Sequence, residues 1–151
     1  MTLREKSLGL AISQIGQDEK PHGSNWGKPV KDYLASVGIN FPASWCMAFV
    51  YWCFAEAAKA LNVKNTAVKT AGVLYAWNNA PAAAKSKTPS VGSVFIMDLG
   101  KGLGHCGIVE KFDENYIYTI EGNTNDTGSR EGIAVYRKKR ARSTIKGYLN
   151  Y

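Results

Sequence analysis

At 151 residues the chain has the length of one ordinary domain, with material for a single core. Apolar residues make up 45% and charged residues 21%, which excludes a disordered polymer. The longest apolar run, AFVYWCFAEAA, is too short and too soon interrupted by charge to span a membrane. Nineteen Lys and Arg against twelve Asp and Glu give a formal charge of +7, a field that favours anionic partners: nucleic acid, acidic lipid or an anionic wall polymer.

The first segment, MTLREKSLGLAISQIGQ, lacks the apolar stretch and small-residue cleavage site of a secretory signal, so none is expected. It reads instead as a helix. Thr2 and Glu5 have capping-box spacing, and Leu8, Ala11, Ile12 and Ile15 follow at helical intervals. A turn-rich stretch from Asp18 to Gly27 follows, with His22 in an exposed turn composition. Pro29 then suits a first helical turn, with Val30, Tyr33, Leu34 and Val37 as an apolar stripe and Gly38 as its stop. A third, central helix is predicted from about Trp45 to Asn62, its stripe carrying Cys46, Phe49, Val50, Cys53 and Ala57. A short fourth helix is expected over Thr70 to Trp77, capped by Thr70, and Asn78 to Ser90 reads as a loop.

Beyond Pro89 the pattern changes to strands: Val91–Asp98, Cys106–Phe112, Tyr116–Glu121, Ile133–Lys138 and Lys146–Asn150. Helices followed by antiparallel strands predict an α+β fold, the central helix lying against a curved sheet, in a single domain over residues 1–151. The basic run Arg137-Lys138-Lys139-Arg140-Ala141-Arg142 reads as a solvated strand end and turn. No helix-turn-helix, zinc-finger or aromatic RNA-binding signature accompanies the charge, so no nucleic-acid partner is expected.

Three cysteines do not make a disulfide framework. Cys46 and Cys53, seven apart in one helix, have Cα atoms roughly 10 Å apart, beyond the ~7 Å reach of a disulfide. Their spacing, and that of His105-Cys106, matches no usual zinc pattern. Cys46 stands at the start of the central helix, where unpaired N–H groups and the helix dipole favour a thiolate, the nucleophilic form. His105, at the start of a strand, is the candidate base. With a three-residue turn at Asp113-Glu114-Asn115, Phe112 faces Tyr116, Gly107 faces Glu121 and His105 faces Asn123. His105, Glu121 and Asn123 then share one face, and a two-residue turn separates them unless a bulge compensates. Either Glu121 or Asn123 can orient the imidazole while it moves the thiol proton.

Around these residues the sequence resembles the CHAP family of cysteine/histidine-dependent amidohydrolases and peptidases. Ser44-Trp45-Cys46-Met47-Ala48-Phe49-Val50-Tyr51-Trp52 resembles its nucleophile segment, Gly104-His105-Cys106-Gly107-Ile108-Val109 its histidine strand, and Ile120-Glu121-Gly122-Asn123-Thr124-Asn125 its third segment. Gly23-Ser24-Asn25-Trp26-Gly27, with Val30 and Tyr33-Leu34, is similar to the lead-in of a bacterial and phage subgroup. The resemblance implies a papain-like α+β fold and cleavage of amide bonds in bacterial peptidoglycan. It further implies Cys46 as nucleophile, His105 as base, Glu121 as the orienting group and Asn123 as a supporting polar residue for the oxyanion or the imidazole. Trp45, among the tryptophans available to line a groove, is expected nearest the substrate.

Two departures stand out. Val91-Gly92-Ser93 replaces a frequent Gly-Asp, with Ser93 expected to affect local structure, and Cys106 is expected to point into the core. Some members bind calcium through closely spaced aspartates; Asp18 and Asp32 are too scattered for that, so no metal and no cofactor are expected. The resemblance implies an N-acetylmuramoyl-L-alanine amidase or an endopeptidase, serving as a phage endolysin, an antibacterial effector with an immunity protein or delivery apparatus, or a self-remodelling enzyme. Its cellular location is not specified by the sequence, but the expected place of action is the cell wall. The alternative is a catalytically silent wall-binding module on the same scaffold.

Overall fold

A computed structural model of the chain describes residues 1–124 and 133–151. Helix α1 (Leu3–Ser13) opens with the anticipated capping box: Glu5 N–H donates to Thr2 Oγ1 at 3.1 Å, and Thr2 N–H to the Glu5 carboxylate at 3.3 Å. Helix α2 (Val30–Ser36) ends where Gly38 takes a φ of +83°, which lets Ile39 N–H turn back to the Leu34 carbonyl at 3.0 Å. Helix α3 (Cys46–Leu61) stops at Asn62, which adopts the left-handed conformation (φ 54°, ψ 49°). No helix is long and apolar enough among the described residues to cross a membrane.

Helix α4 (Val73–Asn79) begins three residues later than the sequence suggests. Thr70 is not its cap. The Thr70 hydroxyl accepts the Gly72 N–H at 3.0 Å and so closes a turn ahead of the helix, leaving extended Gly72 at the cap position. The segment 78–90, expected as plain loop, holds a short 3₁₀ turn (Ala82–Ala84) and the two-residue strand β1 (Lys85–Ser86).

The other strands are β2 (Val94–Gly100), β3 (Leu103–Phe112), β4 (Tyr116–Thr124), β5 (Ala134–Ala141) and β6 (Gly147–Leu149). They form one antiparallel sheet in the order β1-β6-β2-β3-β4-β5, so the fold is α+β as expected. Strand β2 starts at Val94 rather than Val91 because the preceding residues turn. There Ser93 Oγ accepts the Ser90 N–H at 2.9 Å and donates to Asn150 Oδ1 at 2.5 Å, tying the start of β2 to the end of β6. Strand β3 begins earlier than expected, which sets His105 inside the ladder rather than ahead of it.

The β3–β4 turn differs from the three-residue expectation. Asp113 N–H donates to the Tyr116 carbonyl at 3.0 Å and Phe112 pairs with Ile117, so the turn proper is the dipeptide Glu114-Asn115. The Asp113 side chain makes that choice by accepting the N–H groups of Asn115 (2.9 Å) and Tyr116 (2.8 Å). Alone, this would shift every later pair by one residue. A bulge at Glu110 absorbs the shift, so that Val109 pairs with Thr119 and Ile108 with Ile120. The register beyond the bulge is the one the sequence reading required.

The sheet packs on both faces. Val94, Ile96, Cys106, Ile108, Ile120, Val135 and Leu149 lie in one buried cluster with α3 residues Phe49, Val50, Cys53 and Phe54. Fully burying a phenylalanine such as Phe49 stabilises the fold by roughly 1.5–3 kcal/mol. On the other face Phe95, Val109, Ile117 and Tyr148 form a smaller cluster, joined by Met97 and Ile145. Directly paired residues share a face, so the pairs Phe95–Gly107, Met97–His105 and Val109–Thr119 assign His105, Thr119 and Glu121 to this second face. Cys106 points into the α3 side, as its alternation with His105 demands.

Candidate active site

Cys46 is the first residue of α3, and the preceding Trp45 offers no side-chain cap. The thiol therefore stands at the positive end of a sixteen-residue helix. It is buried, as are Cys53 and Cys106, and none of the three forms a disulfide. Cys53 lies mid-helix, and burial pushes its thiol well above the ordinary range. Only Cys46 meets the imidazole.

His105 is 2% exposed and bridges two groups. Its Nε2 lies 2.7 Å from Glu121 Oε1. The Cys46 side chain acts on the same ring through hydrogen bonding and charge. Nδ1 is buried and makes no hydrogen bond of its own, so with Nε2 on Glu121 it is the nitrogen left to face the thiol. Burial drives the imidazole towards its neutral form, but the Cys46 and Glu121 interactions outweigh it and hold the pKa up at about 9. A buried imidazole that stays protonated at neutral pH is the partner a thiolate requires.

Glu121 has no exposed surface. Burial alone would raise its pKa, yet Arg140 and His105 reverse this and hold it down at about 2. The guanidinium of Arg140 grips the carboxylate with Nε on Oε2 (2.7 Å) and Nη2 on Oε1 (2.6 Å). Thr119 Oγ1 donates to Oε2 at 2.6 Å. Each carboxylate oxygen thus accepts two hydrogen bonds, a fully satisfied buried anion. Gly107 makes room for it, since a Cβ there would lie 2.7 Å from Glu121 Cγ, the Ile120 carbonyl and the Phe95 ring.

Of the five residues singled out by sequence, Cys46, His105 and Glu121 come together in one buried line. Asn123 lies at the far end of β4, fully buried, with a φ of +55° and neither amide atom hydrogen-bonded. It does not bond the imidazole; Glu121 holds that position. Trp45 requires a correction. Expected at the substrate, it is fully buried and stacked on Tyr33 with ring centroids 5.6 Å apart, so it has no surface to offer. Its indole N–H donates to Glu19 Oε2 at 2.7 Å, and the other oxygen of that carboxylate accepts the Gly23 N–H at 2.8 Å. His22 is exposed as expected and pairs with Asp18 at 2.7 Å.

Three functional neighbours escaped the sequence reading: Arg140, Thr119 and Glu19. Arg140 was hidden in a basic run taken as solvated. A usable signal was present, because a buried Glu121 needs a cation and β5 pairs alongside β4, with Arg140 opposite Ile117 on the Glu121 face. Glu19 carried no such signal, since a turn-rich segment does not announce a buried carboxylate.

With this geometry in view, the comparison with known families is decisive: the CHAP domain matches residues 38–123, a span containing Cys46, His105, Glu121 and Asn123. The chain belongs to the CHAP family. CHAP domains are in general cysteine- and histidine-dependent amidohydrolases and peptidases associated with peptidoglycan. No curated protein matches the chain. Among solved structures, the crystal structure of Ly7917 is similar over 99% of this chain and 62% of its own, with a TM-score of 0.56 and 16% identity. The chain therefore spans less than two thirds of that protein, and the likeness concerns the CHAP fold alone.

Proposed function

We infer that this CHAP domain is a peptidoglycan hydrolase that cuts an amide bond, as an N-acetylmuramoyl-L-alanine amidase or an endopeptidase of the stem peptide or cross-bridge. The observation that carries the reading is His105 held between the Cys46 thiol and the Glu121 carboxylate in a buried site. In this reading Cys46, as thiolate, attacks the amide carbonyl, and the positive end of α3 favours the charge as it moves. The protonated His105 gives its proton to the departing amine, which leaves an acyl thioester on Cys46. Neutral His105 then takes a proton from water, whose oxygen attacks the thioester. Carboxylate product and thiolate are released, and the imidazolium is restored. Glu121, fixed as an anion, orients the ring throughout and steadies its charge.

Asn123 is assigned a supporting role. Its amide is unpaired but as fully buried as Trp45, so the support it gives comes from within the site rather than through contact with substrate. The biological setting that fits is a lysin of phage origin or an antibacterial effector, with an immunity protein or delivery apparatus as partner in the second case.

The test is release of soluble muropeptides from purified sacculi by the wild-type chain and by Cys46→Ala. Loss of release in the variant supports the reading, and mass spectrometry of the fragments then names the bond. No release from either protein supports the silent wall-binding module instead, and equal release from both overturns the Cys46 mechanism.

A further inference from the structure

The start of α3 has no cap of its own, since Trp45 makes no side-chain hydrogen bond to the first turn. Longer-range contacts of the Trp45 ring set its place instead. The ring stacks on Tyr33, presses on β4 at Gly122 and donates its N–H to Glu19. At Gly122 the approach is close: a Cβ would lie 2.9 Å from Trp45 Cζ3 and 2.8 Å from Phe49 Cβ. Trp45 immediately precedes Cys46, and Gly122 immediately follows Glu121. The indole is therefore a spacer between the strand that holds the carboxylate and the helix turn that holds the thiol.

Stacking and close packing confine the ring but are not directional. The hydrogen bond to Glu19 is directional, and at 2.7 Å it lies at the short end of the N–H···O range. Glu19 is itself rooted in the sheet. Its backbone N–H donates to the Ile133 carbonyl at 2.9 Å, while Gly16 N–H donates to Val135 at 3.0 Å and Val135 N–H to Gln17 at 2.9 Å. This segment thus lies along the start of β5, and the fully buried Glu19 side chain reaches from there to the helix.

We propose that Glu19 is a positioning residue for the Cys46–His105 pair, fixing the thiol against the imidazole through Trp45. The inference rests on that pair acting as nucleophile and base in the proposed function. Glu121 and Arg140 hold the imidazole from the sheet, and Glu19 holds the thiol from the helix side. Proton transfer needs both groups within hydrogen-bond reach, and a small shift of the helix start weakens it.

The experiment follows alkylation of Cys46 by iodoacetamide across pH, with peptide mapping to separate it from Cys53 and Cys106, and the His105 imidazole by NMR. Neither measurement needs peptidoglycan, so failure of sacculus digestion leaves this test standing. The variants are Glu19→Ala, Glu19→Gln, Trp45→Phe and Glu19→Ala/Trp45→Phe, all of which retain Glu121 and Arg140. His22→Ala is the control, since it breaks only the exposed pair with Asp18 in the same loop. In Glu19→Ala the midpoint of Cys46 alkylation is expected to rise by about one pH unit and the His105 pKa to fall similarly. Trp45→Phe keeps a ring, lacks the N–H and removes no charge, so the same shifts there report geometry. The double variant is expected to shift no further than either single one. Glu19→Gln keeps an acceptor for the indole and is expected to recover most of the shift, with His22→Ala matching wild type. Unmoved titrations in Glu19→Ala and Trp45→Phe, or shifts that add in the double variant, overturn the proposal. If Glu19→Ala does not fold, Trp45→Phe decides alone: an unmoved midpoint and imidazole there overturn it.

Discussion

Arg140 grips Glu121 with both arms of its guanidinium, at 2.6 and 2.7 Å, while the same carboxylate holds His105 at 2.7 Å. The anion is therefore shared between one permanent cation and one that titrates. Because Arg140 already balances much of its charge, Glu121 can steady the imidazole and remain ionised well below neutrality.

Removing that balance is expected to be costly. Arg140→Gln leaves a buried carboxylate short of its permanent counter-charge, a change that typically destabilises by about 3–5 kcal/mol. Arg140→Lys keeps the charge but loses the two-armed grip and is expected to fall between the two. Chemical denaturation measures the stability of all three proteins. In Arg140→Gln the acid limb of hydrolysis is expected to move upward with the Glu121 pKa. An unchanged limb would assign Arg140 to folding alone.

The pH dependence has a definite sign on each side. Glu121 is depressed from 4.5 to about 2, so its stabilisation is complete above 4.5 and is lost as pH falls through about 2. His105 is raised from 6.5 to about 9, so its stabilisation is complete below 6.5 and is lost as pH rises through about 9. Melting temperatures are expected to fall outside these bounds, and amide hydrolysis to decline above about pH 9 as the imidazolium is lost. In Cys46→Ala the imidazole loses one of its two supports. Its pKa, followed by NMR, is expected to drop; no drop would mean that the thiol does not act on the ring.

Gly107 is the next position to test. A methyl group there meets Glu121 Cγ, the Ile120 carbonyl and the Phe95 ring at 2.7 Å, and the carbonyl belongs to the sheet and cannot swing aside. Gly107→Ala is expected to destabilise by about 1–3 kcal/mol as overpacking. It should also depress hydrolysis by displacing Glu121 from His105, a loss visible in kcat. Wild-type kcat in a destabilised variant would show that the carboxylate keeps its place.

Glu19 ties the turn-rich lead-in to the residue just before Cys46. Glu19→Ala strips the acceptor from the buried Trp45 indole, at a cost of about 1–3 kcal/mol, and from the part-buried Gly23 N–H. Glu19→Gln keeps one carbonyl oxygen for the indole and is expected to lose less. Trp45 fluorescence follows the change at this contact, and a spectrum unaltered by Glu19→Ala would count against it.

The parts of the site legible in sequence were those governed by local rules. Helix-start chemistry marked Cys46, and alternation along β3 and β4 put His105 and Glu121 on one face. The turn was misjudged because Asp113, read as a turn residue, acts as the side-chain acceptor that closes a shorter turn. Arg140 was obscured because burial of one arginine in a basic run depends on pairing with another strand. Trp45 was misread because its burial depends on Tyr33 and Glu19, both distant in sequence. Thr70 failed as a cap for a nearby reason: its hydroxyl closes a turn ahead of α4.

The Glu110 bulge has a consequence for how this hairpin can change. Turn and bulge act as two half-steps that cancel, so neither is free to vary alone. Deleting Glu110, or adding one residue to the turn, rotates the start of β3 by half a pleat and sends His105 to the α3 side while Cys106 takes its place. Changes of two residues keep the phase. Hairpin length in this chain is thus constrained by odd and even more than by size, and a single-residue indel at the bulge, roughly 17 Å along the strand, is enough to disarm the imidazole.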